Sequence, residues 1–256
     1  MLVVHGVTQG TDGALELLVK PWVPRGLRVI VPSRFGYLGS DLPLHATPEM
    51  QADAFALLLD ALEIPRACVL AASAGSPSAL QFALRDPDRV SGLVLVSPMV
   101  PGPPQGRPPP RFVLELLFSH DLLLWAFQSY LSGAMDRLIG VPKGLALTDE
   151  DRAALAAARR GVFPAAPRMR GVLFDAYESN PAVNDVPLSD IAIPTLIVHA
   201  RDDPGPRYDG AAYMAGQMPG ARLLTIERGG HLMFGDHSWA TREVADFLGS
   251  HGESLQ

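Results

Sequence analysis

The sequence predicts an α/β fold, a mostly parallel sheet flanked by helices with a helical cap inserted into it, and three features carry that expectation. Short apolar runs of strand type alternate with stretches of helical periodicity, the rhythm of successive strand–helix–strand units. That rhythm stops at a proline-rich segment and resumes only near residue 190. A serine ringed by small residues, Ser73, lies where a buried strand run meets a helix start.

In chain order the strand runs are Leu2–His5, Leu27–Val31, Cys68–Ala72, Leu93–Ser97, Thr195–His199 and Arg222–Ile226. Between the second and third, Met50, Ala54, Leu57, Leu58 and Ala61 form a helical apolar stripe. Pro77 suits the start of the next helix, where an early position needs no amide donor. Right-handed crossovers place such helices on both faces of the sheet. From Pro98 to Pro110 there are seven prolines, and the segment reads as a hinge leaving the sheet. Residues 111–190 read as mainly helical: Thr148 with Asp151 three positions on matches a helix start, and Asn180-Pro181 and Val186-Pro187 end helices. Ile193-Pro194 leads back to a strand, a last helix lies near Glu243–Leu248, and the tail Ser250–Gln256 is polar and expected to fray. The expected organisation is a core of residues 1–98 and 191–256, with hinge and cap at 99–190.

Composition excludes several classes. With 48% hydrophobic residues in 256 the chain can fill a substantial core. A net charge of −6 and a pI near 5.6 offer no basic surface for a phosphate backbone, so no nucleic-acid partner is expected. A single cysteine, Cys68, permits neither an internal disulfide nor a cysteine-based zinc site, and it reads as a buried apolar residue. No cofactor or metal is expected. The first residues carry neither the basic leader nor the apolar region of a secretion signal, and a cytoplasmic location is expected. The apolar stretch Phe112–Phe127 is interrupted by Glu115, His120 and Asp121 and falls short of the roughly 20 residues that span a bilayer, so it reads as cap helices and membrane contact is not expected.

The chemistry centres on Ala71-Ala72-Ser73-Ala74-Gly75. A serine on a sharp strand-to-helix turn needs small neighbours two residues away, because bulkier ones collide with the adjacent backbone. A serine hydroxyl is a weak nucleophile at neutral pH; it requires a base to take its proton and a carboxylate to orient that base. Asp203 follows the strand run Thr195–His199, and His231 follows Arg222–Ile226. All three residues therefore sit at carboxyl ends of strands, where open parallel sheets bind ligands. Taken singly, the serine pentapeptide, the Asp-Asp pair and the Gly-Gly-His run are ordinary turns; it is their order and placement together that point to catalysis.

This constellation resembles the cap-bearing members of the α/β-hydrolase superfamily, over nearly the whole chain from His5-Gly6 to the last helix, with the cap as the least characteristic part. The resemblance implies an α/β-hydrolase fold in which Ser73 is the nucleophile, His231 the base and Asp203 the orienting acid. It further implies that His5-Gly6-Val7 is an oxyanion loop, that the amides of Val7 and Ala74 receive the oxyanion, and that His5 braces the loop. Gly6, Tyr37 and Leu232 are the candidate substrate contacts; in Ser33–Ser40, which holds Tyr37, structural support is the main role expected. The sequence departs from the family pattern at Ala71 and Ala200, where glycines are usual, and at the start, where two strands that commonly precede Leu2–His5 have no counterpart. Their absence is expected to leave Leu27–Val31 as an open sheet edge, a route to pairing with a second copy.

The activity expected first is hydrolysis of a small uncharged carboxylic ester through an acyl-enzyme. Serine at the elbow disfavours the haloalkane dehalogenase and epoxide hydrolase chemistries, whose pattern has aspartate there. Carbon–carbon bond or lactone hydrolysis with the same triad is the alternative, although relatives of the former kind often have a tryptophan soon after the histidine, where this chain has Leu232. A hydrolase-fold binding protein with little turnover is the third reading.

Overall fold

The computed structural model describes residues 1–102 and 108–251; the middle of the proline-rich hinge and nearly all of the polar tail lie outside the described residues. Five strands form one parallel sheet in the order β1 (Leu2–Val4), β2 (Ala67–Ala72), β3 (Val90–Val96), β4 (Thr195–Ala200) and β5 (Ala221–Ile226). Representative register pairs are Val3 with Leu70, Leu70 with Val94, Leu95 with Ile197, and Ile197 with Leu223.

Side chains alternate across the sheet as a strand period of two requires. Leu2, Val4, Val69, Ala71, Leu93, Leu95 and Ile197 face one layer, built by α3 (Pro48–Ala61), α4 (Ser76–Arg85) and α10 (Tyr208–Gln217). Val3, Leu70, Val94, Val96, Leu196 and Val198 face the other, where the run 11–22, with α1 (Thr11–Ala14) and α2 (Lys20–Trp22) at its ends, packs beside α11 (Ser238–His251). Both faces of the sheet are thus covered.

Two expectations are corrected here. Leu27–Val31 is not a strand: only Ile30 bridges to β1, through Val3 N–H to Ile30 O at 2.8 Å and Ile30 N–H to Met1 O at 2.9 Å. The ladder stops because Thr11 Oγ1 takes the Val31 carbonyl at 2.9 Å and Pro32 has no amide to continue it. In α3 the buried face is Gln51, Ala52, Phe55 and Leu59, while Leu57, in the expected stripe, is 67% exposed. The bulk of Phe55, which meets Phe82 of α4 edge-on, sets the rotation of the helix.

The chain steps from β1 out to Ile30 at one edge and returns under α3 to β2 on the other side of β1. The loops after β1 and β2 therefore leave in opposite senses, the switch in strand order at whose carboxyl ends open parallel sheets bind ligands. Between β3 and β4 run α5 (Arg111–Ser119), α6 (Asp121–Tyr130), α7 (Ser132–Ile139), α8 (Asp149–Arg160) and α9 (Met169–Phe174). They share a separate core of Phe118, Leu124, Met135, Val162 and Val172, to which Tyr37 of the main body is added. Thr148 and Asp151 cap α8 reciprocally, each side chain receiving the other's backbone amide. Among the described residues no helix is long and apolar enough to cross a membrane.

Candidate active site

Ser73 begins the turn between β2 and α4 with φ of +48°, a conformation that non-glycine residues rarely adopt. Its surroundings enforce that strain. A Cβ on Gly75 would stand 2.6 Å from His5 O and 2.7 Å from Val4 O, so the turn closes only over a glycine. Ser76 Oγ donates to Ser73 O at 2.7 Å and accepts the Met99 amide at 2.8 Å, tying the turn to the segment after β3. Ala71 is fully buried within β2, where its small side chain serves the tight packing expected of the residue two before the serine.

The acid and base come from adjacent strand ends. Asp203 Oδ2 lies 2.7 Å from His231 Nδ1, and the other oxygen, Oδ1, accepts the Gly205 amide at 2.7 Å. The Asp203 side chain is wholly buried, whereas the His231 side chain is 16% exposed and can meet a substrate. Burial disfavours charge on His231, but the Asp203 carboxylate overrides it and raises the imidazole pKa above its ordinary value. Neighbouring Asp202 serves the loop instead: its Oδ1 accepts the Gly229 and Gly230 amides, both at 2.9 Å, and shapes the turn that presents His231. Ser97 Oγ donates to His231 O at 2.7 Å. Among the described residues Ser73 Oγ has no hydrogen-bond partner, so the acid–base pair is formed while the base–nucleophile link is not.

The segment after β1 faces this elbow. A Cβ on Gly6 would lie 3.2 Å from Ser73 Cβ, which places the Gly6–Val7 backbone beside the nucleophile. Both ring nitrogens of His5 are used internally, Nδ1 donating to Gly6 O at 2.8 Å and Nε2 accepting the Arg34 amide at 2.9 Å. Burial and the nearby Arg34 charge hold its pKa well below the ordinary value, so His5 is a neutral brace. Ala74 follows Ser73 in the short turn that leads into the N-terminus of α4, the positive end of its dipole.

Tyr37 is a correction. It is fully buried and donates its hydroxyl to Asp175 Oδ2 at 2.5 Å, so it does not line an open substrate site. Its carboxylate partner also receives Arg34 Nη1 and Nη2 at 2.7 and 2.6 Å, and Arg34 Nε reaches His5 O at 2.8 Å. The segment Ser33–Ser40 thus supports the loop after β1 from beneath. Leu232 is half-buried, next to His231 in the same turn. Sequence reasoning missed Arg34, Asp175, Ser76 and Ser97 as builders of the site. Only Arg34 carried a signal, an arginine followed by Phe35-Gly36; its partner lies 141 residues away.

A parallel sheet with a serine elbow after β2, a carboxylate–imidazole pair at the ends of β4 and β5 and the Gly6 backbone beside the elbow defines a hydrolase of the α/β class. The family model for the alpha/beta hydrolase fold matches residues 1–238, and the chain belongs to that family. It is 31% identical over 261 aligned residues, 97% of this chain and 86% of the relative, to a 2-hydroxy-6-oxononadienedioate/2-hydroxy-6-oxononatrienedioate hydrolase of Paraburkholderia xenovorans. It is 28% identical to a 2-hydroxy-6-oxo-6-phenylhexa-2,4-dienoate hydrolase of Burkholderia cepacia, over 97% of this chain and 87% of that one. Among solved structures, an alpha/beta hydrolase fold protein from Nakamurella multipartita superposes with a TM-score of 0.76 at 26% identity, covering 98% of this chain and 92% of the other.

Proposed function

We propose that this hydrolase cleaves a carbon–carbon bond in 2-hydroxy-6-oxo-dienoates, with Ser73, His231 and Asp203 as its triad. The observation that supports this over ester hydrolysis is the similarity to enzymes of that name along nearly the full length of the chain. Substrates of this class carry a carboxylate, unlike the uncharged ester that the apolar cap leads one to expect.

In this reading His231 takes the proton of Ser73 as Oγ attacks the 6-oxo carbon, and the amides of Val7 and Ala74 receive the oxyanion. Collapse must expel carbon, a poor leaving group, so the substrate first moves its 2-hydroxy proton to C5. The C5–C6 electron pair then flows into the enone ending at the 2-oxo group; the resulting enolate oxygen takes the proton that His231 received from Ser73, giving the 2-hydroxypentadienoate, and water, deprotonated in turn by His231, releases the acid from Ser73. An ester needs no such sink, because its alkoxide leaves with the proton held by His231. The second reading, a carboxylic ester hydrolase, is favoured by Leu232, which stands where carbon–carbon hydrolases often have tryptophan.

The test is to follow loss of the conjugated chromophore of 2-hydroxy-6-oxo-6-phenylhexa-2,4-dienoate beside release of 4-nitrophenol from short esters, with wild type and Ser73→Ala. Dienoate turnover that requires Ser73 and exceeds the ester kcat/KM is expected. Ser73-dependent ester cleavage without dienoate cleavage would shift the assignment to the ester, and no Ser73-dependent turnover of either would leave a binding protein.

A further inference from the structure

The loop that carries His231 is held from both sides by one stretch of the cap, between α7 and the first turn of α8. His231 N–H donates to Gly140 O at 3.0 Å. Four residues on, Gly235 N–H donates to Asp151 Oδ1 at 2.8 Å, the same carboxylate whose other oxygen caps α8. Arg228 reaches Gly144 O at 3.5 Å on the other flank. The fit at the centre leaves no slack. Gly140 has φ of +100°, and a Cβ there would overlap His231 Cβ; a Cβ on Gly230 would stand 2.5 Å from Pro142 Cδ.

These contacts are unequal in kind to those from the core. Asp203 fixes the ring through one nitrogen, and Ser97 and Asp202 hold the loop from beneath. Gly140 and Asp151 hold the same loop from the cap side, so its position depends on both layers. Proton transfer between a base and a nucleophile is sensitive to placement within about an ångström, so a small shift of the loop that carries His231 changes its rate.

We propose that Gly140 and Asp151 are positioning residues for His231, so that placement of the cap and alignment of the catalytic base are one coupled event. The inference rests on the assignment of His231 as base, and its test reads the ring directly as well as through turnover. The titratable and charged groups around the ring are Asp203, His199, 3.8 Å behind Asp203 and with its pKa lowered by burial, and the Asp202–Arg228 pair; the cap contributes the neutral Gly140–Pro142 surface and the Asp151 carboxylate at Gly235.

The variants are Gly140→Ala, Asp151→Ala, Asp151→Asn and, as a control in the same helical turn, Asp149→Ala, whose carboxylate pairs with Arg152 at the surface. Each is measured for thermal unfolding, for the rate at which a fluorophosphonate labels Ser73, for kcat and KM, and for the titration of the His231 ring by NMR. Gly140→Ala and Asp151→Ala are expected to slow labelling and kcat by about tenfold or more with KM within about twofold, a share of the general-base contribution. Their His231 pKa is expected to fall as the Asp203 contact loosens. Asp151→Asn, which keeps an acceptor for Gly235, restores much of the labelling rate, and Asp149→Ala matches wild type. Wild-type labelling and wild-type His231 titration in folded Gly140→Ala and Asp151→Ala would overturn the inference. If wild type itself shows no Ser73-dependent chemistry, the functional reading fails, while the ring titration still decides whether the cap positions His231.

Discussion

Removing the Asp175 carboxylate, by Asp175→Asn, isolates the contact that binds the cap to the floor of the site. Arg34 and Asp175 are both 0% exposed and meet through two bonds at 2.7 and 2.6 Å. With their charge centres about 4 Å apart, a carboxylate and a guanidinium attract by about 4 kcal/mol at an effective dielectric near 20. The loss exceeds what an exposed pair would show, because the arginine is left charged and away from water. Breaking such a pair costs about 3–5 kcal/mol. In a chain of 256 residues that is a fall in Tm of about 6–20 °C. Activity should drop as well, since Arg34 Nε holds His5 O at the start of the loop facing Ser73. Differential scanning calorimetry and urea unfolding give the stability, and replacing both partners by apolar residues, Arg34→Met with Asp175→Leu, should recover much of it. A Tm within about 2 °C of wild type for Asp175→Asn would refute the reasoning, because it would mean that Arg34 finds other compensation or water.

Three further outcomes are expected. The kcat/KM profile should have its acidic limb above the ordinary histidine pKa: Asp203 raises the folded-state pKa of His231, so activity appears only as pH rises through that raised value, and a limb at or below 6.5 contradicts the assignment. Asp203→Asn should move the limb to lower pH, since the charge that favours imidazolium is gone, and lower kcat by about 10⁴, as read by steady-state kinetics. Gly75→Ala should be poorly folded or destabilised by about 1–3 kcal/mol in chemical denaturation, because its Cβ meets two backbone oxygens that cannot move aside; unchanged stability would show that the elbow has room to open.

Five of the six strand runs, the helices between them and the order of Ser73, Asp203 and His231 are legible in the chain, because alternation, turn chemistry and motif spacing are local properties. The proline-rich break likewise announces where the chain leaves the sheet. Legibility fails where the answer depends on partners far apart. Tyr37 reads as a candidate substrate contact in a supporting segment, yet it is buried, with Asp175 arriving from the cap to take its hydroxyl. The stripe on α3 misleads because its five residues are all apolar, and only packing against Phe82 selects Phe55 as the inward one.

By itself the sequence determined the class of fold and the placement of Ser73, Asp203 and His231 after strands, since steric limits at the elbow and the need for a base and an acid act within a few residues of each motif. Tertiary structure alone decided that Asp202 shapes the loop beneath His231 and that Arg34 and Asp175 can share a buried site. It also decided that Gly140 of the cap lies against the base. Those outcomes depend on how separately formed layers meet, and no local pattern encodes the distance between two surfaces before they pack.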